Sequence, residues 1–443
     1  MLSETQLSGN IQKAREGHSK RHSNRTTQEN QLLPTAKTID FSKALNSRGD
    51  RSGSSVGTSK EGVLSGMGSS AASVSRKFGK EEPAIRRSLP MTGEEAGKVF
   101  SSQLTPFERE EIRQFETVYF VGSAKRRAEG ADQTFNNGFD SEDGDYLFEA
   151  GEHINYRYEI AKKLGRGAFG VVLKCVDHRT QEAVALKILK NQKKLHKQGK
   201  IEVKLLTLLR DNDPDDKKNV VIIKDSFTFR NHIVSTRVTL QCIVFEMLSI
   251  NLYQFIKNNE FQGFSAALTK RFTSQILVAL AYLFRFNIVH CDLKPENVLL
   301  KKPNKSSIKL IDFGSSCFEQ ERYYTYIQSR FYRAPEIMLG IPYTPAIDMW
   351  SLGCIVFECL AGVPIFAGEN ERDQMAAIME VIGQPPRSLI AKATRRKVFF
   401  DDDYNPVIKP NSRGRLRKPG QRPLESIVKA GDPDLIEFLK VTH

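Results

Sequence analysis

In "YEIAKKLG", "FGVVLKCVD" and "EAVALKILK", all within residues 157–190, apolar and polar positions alternate between short turns. That period of two, rich in β-branched residues, predicts three strands. The period then changes. In "LHKQGKIEVKLLTLLR", Ile201, Leu205 and Leu208 recur at spacings of three and four, which predicts a basic helix with those residues inward. "NVVIIKDSFTFR" and "VTLQCIVFEML" predict two further strands. Past residue 264 the helical period takes over. Leu268, Phe272, Ile276, Leu280 and Leu283 trace one face of a long helix, and "AIDMWSLGCIVFECLAG" predicts a second, strongly buried one. A small sheet-rich lobe followed by a helical lobe is an α+β pattern with a cleft between the lobes.

Upstream the pattern is weaker. Residues 1–97 are rich in Ser, Gly, Lys and Arg and bury too little apolar surface to offset ordering entropy, so a disordered tail is expected there. Its Lys20-Arg21 cluster has two readings, nuclear import or plain solvation. From residue 98, "VFSSQLTPFEREEIRQFETVYFVG" offers Thr105 as an N-cap before Pro106 and then a strand-like "TVYFVG". The acidic, aromatic "DQTFNNGFDSEDGDYLFEAGEHINYRYEI" reads as an extended accessory segment, so 98–156 is assigned as an accessory region and 157–443 as the domain it precedes.

Composition narrows the class. The 443 residues, 40% apolar and 27% charged, suit two or three domain-sized units diluted by a polar segment. No apolar run approaches the roughly 18 residues a spanning helix needs, and the N-terminus lacks a secretory apolar core. The six cysteines are scattered without a C-x-x-C pair, against a zinc site or a disulfide framework. The expectation is a soluble protein of the cytoplasm, with the nucleus as a second compartment and no membrane partner. A net charge of +14 raises the question of nucleic acid, but the positive charge is dispersed and no aromatic residues are interleaved with it.

Charges set inside apolar runs carry the chemistry. Gly165, Gly167 and Gly170 in "LGRGAFGVV" fit G-x-G-x-x-G, a weak signal alone. Strand-like residues flank them on both sides, which suits a hairpin covering phosphates better than a dinucleotide site opening a helix. Lys187 lies inside apolar "AVALKILK", where an ammonium is unfavourable unless paired. Glu202 is the candidate partner; the alternative is a surface lysine and a helix glutamate that never meet. "IVHCDLKPENVLL" gathers His290, Asp292, Lys294 and Asn297 behind an apolar strand. Phosphoryl transfer needs a carboxylate to accept a hydroxyl proton, a cation near the moving phosphate and oxygen ligands for Mg²⁺. Asp292, Lys294 and Asn297 supply these in order, and Asp312 in "KLIDFGSSC" adds a second Mg²⁺ ligand. "ERYYTYIQSRFYRAPE" sets Tyr323, Tyr324 and Tyr326 beside Arg322, Arg330 and Arg333. It is either a solvated loop or a switch, since a phosphotyrosine adds about −1.5 to −2 charges that arginines bind bidentately.

The set "GRGAFG", "VALK", "HCDLKPEN", "DFG", "APE" and "DMWSLG" resembles a eukaryotic protein kinase from about residue 157 onward. Cys291 in "HCDLKPEN", together with "DFGSSC", "YTYIQSRFYRAPE" and "FQGFS", is similar to the dual-specificity tyrosine-phosphorylation-regulated kinases (DYRK). These lie in the group of the cyclin-dependent, MAP and CDC-like kinases (CMGC). "DSEDGDYL" and "TPFEREEIRQFETVYFVG" resemble accessory elements of that family's second class. The resemblance implies a bilobal fold, ATP and Mg²⁺ as cofactors, and a monomeric kinase domain. It also implies transfer of the γ-phosphate to Ser and Thr of protein substrates, with Arg upstream and Pro after the acceptor. By position it implies Asp292 as base, Lys294 on the transferred phosphate, Asn297 and Asp312 on the metal, and Lys187 with Glu202 at the α/β-phosphates. Leu164, Val172, Ala185 and Leu299 would sandwich adenine; for Val172 and Leu299 plain core packing is an equal reading. The hairpin residues Gly165, Arg166, Gly167, Ala168, Phe169 and Gly170 would cover the phosphates. Glu246, Met247 and Leu248 would border the base beside Phe245. Tyr326 would be autophosphorylated, its phosphate lying against Arg330 and Arg333.

Two departures accompany the resemblance. "VSTRVTLQ" lengthens a hairpin and is expected to threaten the strand leading to Phe245. The sequence stops at "GDPDLIEFLKVTH", short of the family's last helices and of an Arg for Glu336. A truncated C-lobe of marginal stability is the expectation, and a catalytically weak binding scaffold the alternative function.

Overall fold

The structure, a computed structural model, describes residues 89–122, 135–230, 240–322, 324–428 and 432–443. The basic tail up to residue 88, residues 231–239, which include the hairpin extension (233–241) up to its last two residues, and Tyr323 lie outside the described residues. The chain divides into two compact units between Val121 and Gly122.

The first unit, described from residue 89, holds helices α1 (Gly93–Val99) and α2 (Pro106–Ile112), each opened by a capping box. Thr92 accepts from the Glu95 amide at 3.3 Å while the Glu95 carboxylate accepts from the Thr92 amide at 3.1 Å. Thr105 and Glu108 repeat the arrangement at 3.2 and 3.0 Å, with Pro106 at the first helical position. The tail boundary at 97 is therefore corrected: α1 starts at Gly93, because the T-x-x-E signature satisfies its orphan amides and Ala96 and Phe100 are buried. The strand expected over "TVYFVG" reduces to one antiparallel bridge, Met91 to Val118. It cannot extend, since Thr92 turns into the helix and Pro90 brings no N–H.

In the second unit six antiparallel strands form one sheet. They are β1 (His153–Ile154), β2 (Tyr158–Gly167), β3 (Gly170–Asp177), β4 (Glu182–Leu189), β5 (Ile223–Phe229) and β6 (Leu240–Glu246), in the order β1-β2-β3-β4-β6-β5. The alternation seen in sequence is real. Val171, Leu173, Cys175, Val184, Leu186 and Ile188 point inward and are at most 3% exposed. The hairpin extension does not displace β6, which pairs Ile243 with Lys187 and Phe245 with Ala185. Helix α3 (Lys193–Asp211) follows β4 with a rotated inner face. Gln198, Glu202, Leu205, Leu206 and Leu209 are buried, while Ile201 and Leu208 are half-buried. A purely apolar count missed this because a charged residue, Glu202, sits on the inner stripe.

The helical lobe begins with α4 (Leu252–Asn258) and α5 (Ala266–Arg285), whose five expected core residues are all at most 8% exposed. Two short ladders lie across it, β7 (Ile288–Val289) with β10 (Cys317–Phe318), and β8 (Val298–Leu300) with β9 (Ile308–Leu310). They hold the loops that face the sheet. Beyond them come α6 (Pro335–Leu339), α7 (Ala346–Ala361), α8 (Glu371–Ile382), α9 (Arg387–Ala391), α10 (Arg396–Phe399), α11 (Leu424–Ile427) and α12 (Pro433–Thr442). The six cysteines are buried free thiols, and no helix among the described residues is long and apolar enough to cross a membrane.

Gly353 of α7 admits the end of α12, since a Cβ there would meet Thr442 Oγ1 at 2.5 Å. His443 follows, edge-on to Trp350 at 4.7 Å, and its Nδ1 donates to the Leu439 carbonyl at 3.1 Å. Burial lowers its pKa from 6.5 to about 4. Between those values the unfolded chain takes up a proton that the folded ring refuses, so stability falls as the pH drops through this window. His443→Phe removes that contribution. Urea unfolding should then show a loss of stability between pH 7 and pH 4.5 smaller by roughly 1–3 kcal/mol in the variant.

Candidate active site

The sheet and the helical lobe enclose a cleft of about 450 Å³. Its roof is the β2–β3 hairpin. At Gly170 (φ +148°) a Cβ would meet the Ile188 carbonyl oxygen at 2.0 Å, so the hairpin can cross β4 only with glycine there. Gly165 and Gly167 differ: a Cβ at either would touch nothing within 4 Å. The protein's own packing therefore does not require glycine at either position. Leu164, Gly165, Arg166, Gly167, Phe169, Gly170, Val172 and Ala185 line the cleft from above, and Leu299 does so from below. Ala168 is corrected: it sits exposed at the hairpin tip and does not line the cleft.

Lys187 and Glu202 do meet. The Lys187 ammonium donates to both Glu202 oxygens, at 2.8 and 3.0 Å, and to Asp312 Oδ1 at 3.0 Å. Burial opposes its charge, but Asp312 and Glu202 more than compensate and hold its pKa above the ordinary value. Burial likewise pushes Asp312 upward, yet Lys187 outweighs it and lowers that carboxyl to about 2. Glu202, the most enclosed of the three, is raised by burial. Asp312 stands in left-handed backbone, φ +62°, and the following Phe313 is fully buried edge-on to His290.

Below the cleft, Asp348 of α7 anchors the loop after β7. Its two oxygens accept from the His290 and Cys291 amides at 2.7 and 3.1 Å, which fixes Cys291 in left-handed backbone, φ +66°. Asp292 follows directly. Its Oδ2 accepts from Lys294 Nζ at 2.6 Å and its Oδ1 from Ser329 Oγ at 2.8 Å. Burial works against the Lys294 charge, but the Asp292 carboxylate keeps its pKa above the usual value. Asn297 donates its amide to the Asp292 carbonyl at 2.8 Å, leaving its Oδ1 as an oxygen donor. The Ile311 amide bonds to the Asn297 carbonyl at 2.9 Å, which ties Asn297 to the segment carrying Asp312.

On the β6 side Phe245, Glu246, Met247 and Leu248 form one wall. The Glu246 carboxylate turns away, accepting from the Ile222 amide at 2.7 Å and from buried Lys309. Among the described residues no protein group takes the backbone amide or carbonyl of Leu248.

In the segment before α6, Tyr326 is 41% exposed and its hydroxyl accepts from Arg333 Nη1 at 2.5 Å. Arg330 makes a different contact here: its Nη1 donates to the Glu369 carbonyl at 2.7 Å, because residues 330–332 form a turn that aims it at the helical lobe. Arg395 lies over the Tyr326 ring instead, 5.1 Å from its centroid. Glu336 is half-buried, burial raises its pKa, and no ion pair to it exists among the described residues.

A protein kinase domain model matches residues 158–409. The human dual specificity tyrosine-phosphorylation-regulated kinase 4 is 46% identical over 362 residues, covering 82% of this chain and 68% of that protein. The probable serine/threonine-protein kinase dyrk2 of Dictyostelium discoideum is 47% identical over 343 residues, 77% of this chain and 37% of that protein. Dual specificity tyrosine-phosphorylation-regulated kinase 2 of Drosophila melanogaster is 45% identical over 360 residues, 80% of this chain and 49% of that protein. The chain belongs to the DYRK family of protein kinases.

Kinase membership implies ATP, a divalent metal ion and protein substrates. The donor set fits such an ion. Asp312 is ionised and Asn297 offers an amide oxygen, while no cluster of three or more metal-ligating side chains exists among the described residues. Two hard oxygens with room for phosphates suit a small divalent cation better than an all-protein cage would.

Several site residues of this kinase escaped the sequence reading. Ser329 and Asp348 lie 37 and 58 residues from their partners, and Val221, Ser249, Ile250, Asn251, Gln254, Glu296 and Ile311 complete the cleft wall. Asp348 carried a legible signal, a carboxylate inside an apolar helix. Ser329 carried none. The acidic accessory segment also reaches the roof, where Asp145 bonds both Lys190 and Arg166.

Lys187→Met leaves two carboxylates enclosed without their cation. Urea unfolding should show a loss of about 3–5 kcal/mol, and kcat/KM for peptide phosphorylation should fall at least ~100-fold. Adding Glu202→Gln should recover most of the stability and none of the activity.

Proposed function

We propose that this chain is a Mg²⁺-ATP-dependent, dual-specificity protein kinase that phosphorylates Ser and Thr of protein substrates and its own Tyr326. One observation carries the reading: the Lys187–Glu202–Asp312 network and the Asp292–Lys294–Asn297 cluster are joined through the Ile311–Asn297 bond along one crevice. Bound Mg²⁺-ATP supplies the transferable phosphoryl group and its charge neutralisation. Asp292 orients the incoming hydroxyl and takes its proton as the new O–P bond forms and the bridging O–P bond to ADP breaks. Lys294, already on Asp292, shields the charge that builds there. Asn297 and Asp312 would hold the metal, and Lys187, steadied by Glu202, would face the phosphates. The Leu248 backbone and the apolar walls at Val172, Ala185 and Leu299 receive the adenine.

Substrates with Arg before and Pro after the acceptor follow from the family. Glu296 on the cleft wall supports a cationic side chain nearby. A monomeric kinase domain, working in the cytoplasm and also in the nucleus, completes the proposal.

Transfer of radiolabelled phosphate from ATP to a basic protein tests it. Asp292→Asn should reduce the rate at least ~1000-fold while leaving the melting temperature and nucleotide-analogue binding within error. Equal turnover by the two proteins would exclude the assignment of Asp292.

A further inference from the structure

The Lys309 side chain is wholly enclosed, 0% exposed, and takes no part in the chemistry described above. It rises from β9 opposite Leu299 of β8, a residue of the cleft floor. Its ammonium pairs with the Glu246 carboxylate at the end of β6, and with Asp216 Oδ1 at 2.5 Å in the loop after α3. Glu246 Oε1 also accepts from the Ile222 amide at 2.7 Å, and the Glu246 amide donates to the Ile222 carbonyl at 3.2 Å. Backbone bonds run alongside, from the Val221 amide to the Leu310 carbonyl at 3.0 Å and from the Leu310 amide to the Asn219 carbonyl at 2.8 Å. Past Leu248 the β8–β9 ladder grips the connecting strand a second time. There the Ser249 amide donates to the Leu300 carbonyl at 2.8 Å, and the Leu300 amide to the Ile250 carbonyl at 2.9 Å. Between these fixed ends, Met247 and Leu248 make no backbone hydrogen bond to protein among the described residues.

We propose that Lys309 is a positioning residue for the nucleotide base: through Glu246 it fixes the Leu248 backbone, and with it the choice of adenine over guanine. The inference rests on the reading that Leu248 receives the base, and adds what holds Leu248 in place. An ammonium wholly out of water is tolerable only with its carboxylates beside it. Glu246 therefore cannot swing away without stranding a charge. Adenine carries a donor at its 6-amino group and an acceptor at N1, whereas guanine carries an acceptor at O6 and a donor at N1. The Leu248 amide suits an acceptor and meets guanine N1–H as donor against donor. Backbone held at both ends cannot slide to present its carbonyl there instead. A buried polar group left without its partner costs more than a made bond contributes, so a fixed edge rejects the wrong base. With one end released, the strand can settle against either base. The plainer account, a buried ion pair that only knits β6 to β9, predicts lost stability and an unchanged nucleotide preference.

The test uses the full chain as wild type, Lys309→Met and Lys301→Met. Lys301 also bonds Asp216, at 2.7 Å, with no bond to Glu246 among the described residues, so it controls for loss of one positive charge from the cluster. Calorimetry measures binding of a non-hydrolysable ATP analogue and of its GTP counterpart at a temperature where each protein is folded. Initial rates of peptide phosphorylation with ATP and with GTP follow. Absence of both analogue binding and ATP-dependent turnover in wild type overturns the kinase reading and this inference with it. Lys309→Met should bind the ATP analogue about 5–10-fold more weakly, with KM for ATP rising to match, while kcat at saturating ATP stays at the wild-type value. The ratio of ATP to GTP affinity should narrow in Lys309→Met and not in Lys301→Met. Mere charge loss would weaken both nucleotides alike in both variants and leave the ratio unchanged. That result, or wild-type nucleotide affinity in Lys309→Met, overturns the positioning role and leaves the kinase reading standing. Should Lys309→Met not fold, the double variant Lys309→Met with Asp216→Asn relieves the stranded charge and is held to the same outcomes.

Discussion

A single ammonium group, that of Lys187, requires three separate elements to meet at one point. It leaves β4 on the cleft face, opposite to Leu186 and Ile188, and is 7% exposed; Glu202 from α3 and Asp312 after β9 make that position tolerable. Breaking a buried pair typically costs about 3–5 kcal/mol, a large share of the 5–15 kcal/mol that usually holds a domain together. Sheet, helix and the Asp312 segment are therefore coupled: none can shift without stranding a charge. The arrangement is also unbalanced. Two carboxylates share one cation, and Asp312 Oδ2 has no protein donor among the described residues. The site is left net negative where a divalent cation is needed, so the network that stabilises the fold also prepares the metal position.

A second anchor works by backbone rather than by charge. A non-glycine residue in left-handed backbone is disfavoured by roughly 1–2 kcal/mol, and Cys291 and Asp312 both adopt it. Asp348 answers for the first by accepting two successive amides. His290 then bonds the Ile311 carbonyl at 3.0 Å and packs on Phe313, passing the constraint from α7 to the Asp312 segment. Asp292 is aimed by this chain of contacts and by Ser329, which makes its placement a property of the helical core.

What could be read in the sequence was what repeats or what breaks a pattern. Strands and the two long helices followed from their periods, and Lys187 stood out as a charge inside an apolar strand. Glu202 was legible as a partner although the apolar count gave α3 the wrong inner face, because side-chain periodicity weighs no ion pair. The Thr92–Glu95 capping box was hidden by the low-complexity composition around it. Arg330 was expected beside Tyr326 because it lies four residues away, whereas a one-turn helix aims it elsewhere and Arg395, from a loop some seventy residues on, lies over the ring. Contacts made by tertiary packing between polar residues leave no local trace.

The acidic accessory segment shows how unequal bonds from one carboxylate divide labour. Asp145 is held by Lys190 at 2.8 Å, both side chains 8% exposed, while Arg166 at the hairpin is 57% exposed. The enclosed bond is a fixed anchor, reinforced by the Asn191 amide on the Gly144 carbonyl at 2.8 Å and by Asn191 Nδ2 on Asp140 at 2.8 Å. The bond to Arg166 is the more solvent-screened of the two, since the guanidinium stands in water. A hairpin that must cover phosphates and then release a nucleotide is served by that imbalance. The accessory segment is fastened to the end of β4 through Lys190 and Asn191, and the hairpin is tied to it through the exposed Arg166.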